Sequence, residues 1–184
     1  LNTPMMIRFP DGFGAGTVDS QLVSFIDFAP TVFSLAGIEP PDYLHGQAFL
    51  GPYQAPEERD YIHAAADRFD AFTDAIRAVR GPRFKYIRNY RTEQGYYLPV
   101  TYRERIPTMQ ELLRLRDEGA LNEYQAQWFR ESKPQEELFD CIADPHELHN
   151  LADDPAYAEK LAELRAELER WLTATGDQPN LPEG

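Results

Sequence analysis

The chain has 184 residues, a length that suits one domain, or one domain with part of another. Its 31 Asp and Glu outnumber its 18 Lys and Arg, and the formal net charge of −13 argues against nucleic acid or an anionic membrane surface as a generic partner. A single cysteine excludes an internal disulfide and a multi-cysteine zinc site. No apolar run reaches the length of about 20 residues that a membrane-spanning helix needs.

Residues 1–55 are predicted to form the edge of an α/β domain. The segment MMIRF at 5–9 is typical of a buried strand in a parallel sheet, and Pro10 ends it. Residues 27–37 are predicted to be helical, because Asp27 can cap the helix, Pro30 fits its first turn and Gly37 suits a left-handed C-terminal cap. A chain that starts directly in strand-like sequence indicates a piece of a longer protein.

Residues 56–184 are predicted to form a second unit. The proline-rich segment 38–59 crosses between layers, and three short alternating runs at 60–90 predict strands, the last two joined by a turn at Gly81-Pro82. Residues 107–131 are predicted to be helical with an interruption at Gly119, and residues 137–140 add an edge strand.

The last predicted element is a helix of about five turns that starts after Asp154 and Pro155. Its apolar residues recur at spacings of four and three, and the stripe comprises Tyr157, Leu161, Leu164, Leu168 and Trp171. Because a single amphipathic helix cannot bury such a stripe alone, we expect it to pack on the small antiparallel sheet. The predicted fold class is α+β, preceded by a strand and helix left over from an α/β domain.

The stretch ELFDCIADPHELHNLADDP at 137–155 looks reactive, with the only cysteine and two histidines. His146 and His149 have a spacing that could bind a metal, but Asp144-Pro145 and the neighbouring Asn and Asp residues are typical of turns and helix caps. Cys141 lies between the apolar residues Phe139 and Ile142 and has no basic residue beside it. We therefore favour a structural interpretation, with no catalytic and no metal-binding residue in this stretch.

A second candidate is the group of charged residues at 63–88. His63 opens the group, and Asp67, Arg68 and Asp70 are predicted to lie in a loop, where Arg68 could bind a sulfate or carboxylate bidentately. The later basic residues of the group are expected to lie on the solvent face of a hairpin and to pair with acidic residues; they are Arg77, Arg83, Lys85 and Arg88.

Four segments in this order carry a family resemblance: TPMMIRFP, LVSFIDFAPTVFSLAGIEPP, AIRAVRGPRFKYIRNY and ELFDCIADPHELHNLADDP with its Leu-striped helix. Together they resemble the C-terminal part of a type I sulfatase of the alkaline phosphatase superfamily, over nearly the whole chain from Pro4 to Asp177. The DRFD segment and residues 109–140 are most similar to the heparan N-sulfatase branch.

This resemblance implies an enzyme that hydrolyses sulfate esters or sulfamates on sulfated sugars, with a formylglycine made from a cysteine and a calcium ion nearby. It places those groups before Leu1. Cys141 does not match the formylglycine motif, because CIADP has Pro145 where that motif has Arg. No turnover is expected from this chain alone. The resemblance also implies that the N-terminal catalytic part is the partner, that Asp67, Arg68 and Asp70 contact the sugar substrate, and that the parent protein is periplasmic or secreted.

Two alternatives remain open at the level of sequence. The chain could belong to a related phosphodiesterase or phosphonate hydrolase, or it could be a sugar-binding module that stands alone. A piece of an enzyme should expose the apolar residues of the first strand and helix and tend to self-associate, whereas an independent module should be monomeric. The diagnostic residues are Met5, Ile7, Phe28 and Phe33.

Overall fold

The computed structural model describes residues 3–179, which form two compact units. The first unit runs to Ile62 and includes Arg80–Pro82, and the second comprises His63–Val79 and the chain from Arg83 onward. The division of the chain at residues 55 and 56 into parts of a larger enzyme stays a prediction. Within residues 3–179, no helix combines the length and apolar character that crossing a bilayer requires.

The first unit begins without regular secondary structure. Residues 3–9 have no strand, so the strand predicted at 5–9 is wrong for this chain. A strand exists only where a neighbour completes its backbone hydrogen bonds, and in the described residues the sheet strands pair among themselves. The apolar pattern of the segment fits a strand, but its neighbour is not among these residues.

The predicted helix is present. It consists of a single 3-10 turn, Phe25–Asp27, followed directly by α1, Phe28–Leu35. Gly37 follows in the left-handed conformation, with φ 72°, as a C-terminal cap requires. Asp27 acts differently from the prediction, because its side chain makes no cap bond to α1. Its carboxylate instead accepts the backbone N–H of Ser24 at 2.8 Å and of Gln47 at 2.9 Å, and it pairs with Arg59.

Two polar side chains of α1 bind the backbone of the crossing segment, residues 38–59. The Thr31 hydroxyl accepts the N–H of Phe49 at 3.1 Å, and the Ser34 hydroxyl accepts the N–H of Tyr53 at 3.0 Å. Asp27, Thr31 and Ser34 follow at spacings of four and three, so they lie on one face of the helical segment. All three are buried, and this polar face fixes backbone that has no strand or helix of its own.

The second unit contains a four-stranded antiparallel sheet in the order β1-β2-β3-β4. The strands are β1, Ile62–Phe69; β2, Phe72–Arg80; β3, Phe84–Asn89; and β4, Glu136–Asp140. The hairpin at Gly81-Pro82 is confirmed as the β2–β3 connection, and β4 is confirmed as the edge strand, pairing antiparallel with β3.

The C-terminal helix α5 spans Ala158–Thr175 and follows a 3-10 turn at Pro155–Tyr157. Asp154 caps this start, because its carboxylate accepts the N–H of Ala156 at 2.9 Å. The helix packs beside β3, and four leucines form its buried stripe: Leu161, Leu164, Leu168 and Leu172. Leu172 replaces Trp171 as the last buried position of the predicted stripe.

Three short helices lie between β3 and β4: α2, Thr101–Glu104; α3, Pro107–Asp117; and α4, Glu123–Gln127. The predicted break at Gly119 is confirmed, and this residue has a φ of 67° that favours glycine. The segment returns to the sheet through Lys133, whose fully buried ammonium group lies 2.5 Å from the Asp74 carboxylate on β2. That ion pair ties the helical insertion to the sheet.

Candidate functional site

The three predicted substrate-binding residues lie at the tip of the β1–β2 hairpin. Asp67 and Arg68 belong to β1 itself, so the prediction that they lie in a loop is wrong, while Asp70 is in the two-residue turn. Asp70 has a φ of 58°, the left-handed conformation that a tight hairpin turn demands. Because neighbouring side chains on a strand point to opposite faces, Asp67 and Arg68 face different sides of the sheet.

Asp67 is engaged by a buried guanidinium. Arg77 on β2 donates to its two carboxylate oxygens at 2.6 and 3.1 Å, and donates to Asp177 at 2.5 and 3.0 Å. The hydrogen bond to Asp177, reinforced by Asp67, raises the pKa of Arg77 above its usual value despite burial, and Arg77 in turn lowers the pKa of Asp177. Asp67 therefore helps to neutralise Arg77, which ties β1 to the chain beyond α5.

Arg68 points away from this ion-pair network. Its Nε donates to the backbone oxygen of Asp70 at 2.9 Å across the hairpin turn, and the residue is exposed. The next residue, Phe69, is 42% exposed and places its ring 5.4 Å from the guanidinium carbon of Arg103. The hairpin tip thus combines an exposed arginine with an exposed aromatic ring.

The basic residues of the β2–β3 hairpin divide into two classes. Arg83 is exposed and pairs with Asp140 at 2.6 Å, as predicted for the solvent face. The prediction is wrong for Arg77 and Lys85, whose side chains are buried, with Lys85 paired to Glu147. The sequence shows alternation along the strands, but β2 and β3 carry buried residues at successive positions and so on both faces, which alternation alone does not reveal.

His63 is part of the contact between β1 and α5. Its ring stacks on Trp171 with 5.0 Å between centroids, and its Nε2 lies 2.9 Å from Glu167. Arg170 donates to Glu167 as well, and that hydrogen bond is the main reason why the pKa of Glu167 is lowered. Since both the imidazole and the carboxylate are largely shielded from solvent, His63 acts in packing the helix on the sheet.

The stretch at 137–155 is built from turn hydrogen bonds. Asp140 accepts the N–H groups of Ile142 and Ala143 at 3.1 Å, and Asp144 accepts those of Leu148 and His149 at 2.7 and 2.8 Å. Within residues 3–179, no group of three His, Cys, Asp or Glu side chains is arranged to hold a metal ion.

Cys141 in this stretch is half-buried. Its sulfur lies 3.7 Å from a Glu147 carboxylate oxygen and 3.9 Å from the Phe139 carbonyl oxygen, and both contacts are to oxygen atoms that accept hydrogen bonds. The backbone hydrogen bonds accepted by Asp140 and Asp144 are turn contacts of the kind that the sequence predicted for this stretch.

An α+β unit in which a four-stranded antiparallel sheet packs on one long C-terminal helix is the type of domain found in sulfatases. A solved structure of a putative sulfatase from Bacteroides thetaiotaomicron matches with a TM-score of 0.53 and 28% identity, over 82% of this chain and 25% of that chain. The match shows that the fold of this chain is similar to part of a sulfatase structure.

Residues 1–104 match the family model of the N-sulphoglucosamine sulphohydrolase C-terminal domain, and the chain belongs to this family. An ulvan-active sulfatase from Formosa agariphila is 69% identical over 183 residues, which is 100% of this chain and 30% of the relative. The N-sulphoglucosamine sulphohydrolase of Homo sapiens is 26% identical over 88% of this chain and 34% of the relative. The chain therefore spans about a third of the length of these relatives, as a C-terminal part of a larger sulfatase-type protein.

Proposed function

We propose that the whole protein is a sulfatase that removes sulfate from a sulfated polysaccharide, and that ulvan is its substrate. The observation that carries this proposal is the 69% identity to an ulvan-active sulfatase along the full length of this chain. The match covers 183 residues and therefore includes the hairpin tip and the helical insertion. A sulfamate substrate is the second candidate, because the name of the matching family refers to N-sulphoglucosamine, which carries a sulfamate group.

The chemistry of sulfate removal belongs to the part of the protein outside these residues. The family resemblance implies a formylglycine and a calcium ion, and the residues present do not fit either group. Cys141 lies beside the acceptor Glu147 in a sequence with Pro145 where the motif has Arg, and the described residues form no metal-binding cluster. We therefore place both groups in the remainder of the protein and assign this chain a supporting role.

The partner of this chain is the catalytic remainder of the same protein. The first unit exposes a set of apolar side chains that a separate domain would bury: Met5 at 46%, Met6 at 96%, Ile7 at 49%, Val18 at 95%, Phe25 at 73%, Phe28 at 39% and Val32 at 66%. Exposed apolar groups of this extent favour association with another surface. The isolated 184-residue chain should self-associate with rising concentration in analytical ultracentrifugation, and a strictly monomeric chain would contradict this assignment.

Arg68 is the residue of the hairpin tip best placed to contact substrate. It is the exposed cation among the three predicted residues, whereas Asp67 and Asp70 are carboxylates, one bonded to Arg77 and the other in the turn. In the intact protein, Arg68→Ala should lower kcat/KM on the sulfated polysaccharide by about tenfold, the loss of one charge-assisted contact. Arg114→Ala, which removes an arginine paired with Glu111 and Glu118 on α3, is the matched control. Equal kcat/KM for Arg68→Ala and wild type would remove Arg68 from the site.

The deciding experiment for function measures sulfate release by the intact protein. Purified ulvan and N-sulphoglucosamine are supplied separately, and free sulfate is quantified by ion chromatography. We expect release from ulvan, with the 184-residue chain alone giving none. Release from N-sulphoglucosamine alone would favour the sulfamate candidate, and release from neither would contradict the proposal.

The location of the protein follows from the proposed substrate. A polysaccharide does not cross a membrane intact, so we place the protein in the periplasm or outside the cell. Fractionation of cells that express the complete gene, followed by immunoblotting, tests this assignment. Recovery of the protein only in the cytoplasmic fraction would contradict it.

A further inference from the structure

An arginine in the helical insertion is enclosed by aromatic rings. The guanidinium carbon of Arg103 lies 5.4 Å from the ring centre of Phe69, 5.5 Å from that of Trp128 and 5.7 Å from that of Tyr97. These distances lie within the range of cation–π attraction. We call these four residues the Arg103 patch. It joins the tip of the β1–β2 hairpin to α2 and to the end of α4, within one compact unit.

The charge of Arg103 has no carboxylate partner among residues 3–179. Its Nη2 donates to the backbone oxygen of Leu98, and its buried Nε has no hydrogen-bond partner there. The carboxylate of the neighbouring Glu104 accepts a hydrogen bond from the hydroxyl group of Tyr97. No ion pair among these residues neutralises the charge of Arg103, so an external anion can serve as its counter-charge.

The rings around this charge reach solvent. Phe69 is 42% exposed, and Trp128 is 41% exposed. A second arginine contacts the Tyr97 ring of the patch. The guanidinium carbon of Arg116 lies 5.8 Å from the centre of the Tyr97 ring and 5.4 Å from that of Phe129. The Tyr97 and Phe129 rings themselves lie 5.2 Å apart. The Tyr97 ring of the patch is thus held by packing against Phe129 and Arg116 before any ligand arrives, which lowers the entropy cost of binding.

Aromatic rings and arginine together match the chemistry of a sulfated sugar. The C–H face of a pyranose stacks on flat rings such as those of Trp128 and Phe69, and a sulfate oxygen accepts hydrogen bonds from a guanidinium. An apolar protein partner would leave the Arg103 charge without a counter-ion. Because the chain has a net charge of −13, binding of a polyanion needs local positive charge, which Arg103 contributes to this patch.

We propose that the Arg103 patch is a subsite that holds a sulfated sugar residue of the polysaccharide chain, separate from the group that is hydrolysed. The identity of the occupant rests on the proposed function, whereas binding to the patch does not require turnover. The subsite would raise the affinity for the polymer while leaving the rate on a small sulfate ester unaffected.

The test uses the intact protein in affinity gel electrophoresis with ulvan in the gel. Trp128→Ala should weaken the retardation by about tenfold in apparent Kd, as expected for removal of an aromatic contact at the centre of a binding surface. Trp128→Phe, which keeps a ring, should retain most of the retardation. Ile142→Ala, which removes a side chain that is 69% exposed elsewhere on the same unit, is the control and should match wild type. Chemically desulfated ulvan should be bound more weakly than ulvan by wild type.

Several outcomes would overturn the proposal. Equal retardation of wild type and Trp128→Ala would do so, as would equal retardation by ulvan and its desulfated form. A lower Tm of Trp128→Ala with unchanged retardation would show that the patch is an internal contact with the rest of the protein. The retardation assay needs no sulfate release, so failure of the subsite can be distinguished from failure of the proposed activity. If turnover is present, Trp128→Ala should raise KM on ulvan and leave kcat on a small aryl sulfate unchanged.

Discussion

Asp27 shows how much one buried carboxylate can determine in a segment without regular structure. It is 1% exposed and satisfies two backbone N–H groups and the guanidinium of Arg59. The backbone at Ser24 and Gln47 has no strand or helix partner, so its donors depend on this side chain. A buried ion pair of this kind contributes little net stability when complete, but it is costly to break.

We predict that Asp27→Ala destabilises the protein by about 3 kcal/mol, because it leaves Arg59 without a counter-ion and two N–H groups without acceptors. Urea unfolding followed by tryptophan fluorescence and circular dichroism measures this change. Asp42→Ala is the control, since Asp42 is exposed. A change below about 0.5 kcal/mol for Asp27→Ala, the range of ordinary surface substitutions, would contradict the assigned role.

The close approach of two backbone segments depends on Gly46. A Cβ atom at this position would lie 2.0 Å from the backbone oxygen of Ile26, which cannot move away independently of α1. We predict that Gly46→Ala lowers stability by more than about 3 kcal/mol, beyond ordinary overpacking. Gly81→Ala is the matched control, because its Cβ would meet the Tyr61 ring at an ordinary 3.4 Å. Equal Tm values for the two variants in differential scanning calorimetry would refute the prediction.

At the scale of elements, α5 and the sheet depend on one another. The isolated helix has a polar, acidic face and a stripe of leucines that only a second layer can bury. Val79, Tyr86 and Leu138 in the sheet are completely buried, as is Leu168 in α5. The helix also contacts β1 through Trp171 and His63, and β4 through Arg165, which pairs with Glu136 at 2.8 Å. Removal of its buried side chains should therefore unfold the sheet as well.

Leu168→Ala is predicted to cost about 2–5 kcal/mol, the range for a buried leucine that leaves a cavity. Loss of helical and sheet signals should coincide in circular dichroism during urea unfolding, because the two elements share one core. Glu169→Ala, at the next and exposed position of the same helix, should leave the midpoint unchanged within error. Separate helix and sheet transitions would show that α5 is not part of the cooperative core.

At the scale of the whole molecule, the acidic excess makes low pH the sensitive range. The pKa of Glu136 is lowered to about 2, mainly by its hydrogen bond to Arg165, and that of Asp140 is lowered to about 2, mainly by its hydrogen bond to Arg83. A carboxyl group whose pKa is lower in the folded state binds a proton more readily in the unfolded state. Both groups therefore stabilise the fold above about pH 4, and this contribution is lost as the pH falls toward 2.

We predict that the free energy of unfolding falls between pH 5 and pH 2, and that Asp140→Asn makes this decline shallower, since the amide cannot ionise but can still accept the turn hydrogen bonds. Denaturant titrations at a series of pH values measure the slope. The control is Asp153→Asn, at an exposed acid. Parallel pH profiles for wild type and Asp140→Asn would contradict the assignment of the shift to Asp140.

Patterns of local sequence correctly predicted most of the helices and strands, the segment at 5–9 excepted. Three predictions that depend only on neighbours a few positions away are confirmed. They are the leucine stripe of α5, the turn at Gly81-Pro82 and the end of α1 before Gly37. The resemblance to sulfatases, now supported by the family match, also rests on such short segments.

Tertiary structure alone decided which charged groups are buried and what they contact. Arg77 meets Asp177 across 100 positions and Lys133 meets Asp74 across 59 positions, and no periodicity along the chain encodes a pairing of that separation. The Arg103 patch likewise combines residues from a hairpin, a loop and two helices. The segment at 5–9 makes the converse point: its sequence favours a strand, but a strand forms only where a neighbouring backbone completes its hydrogen bonds.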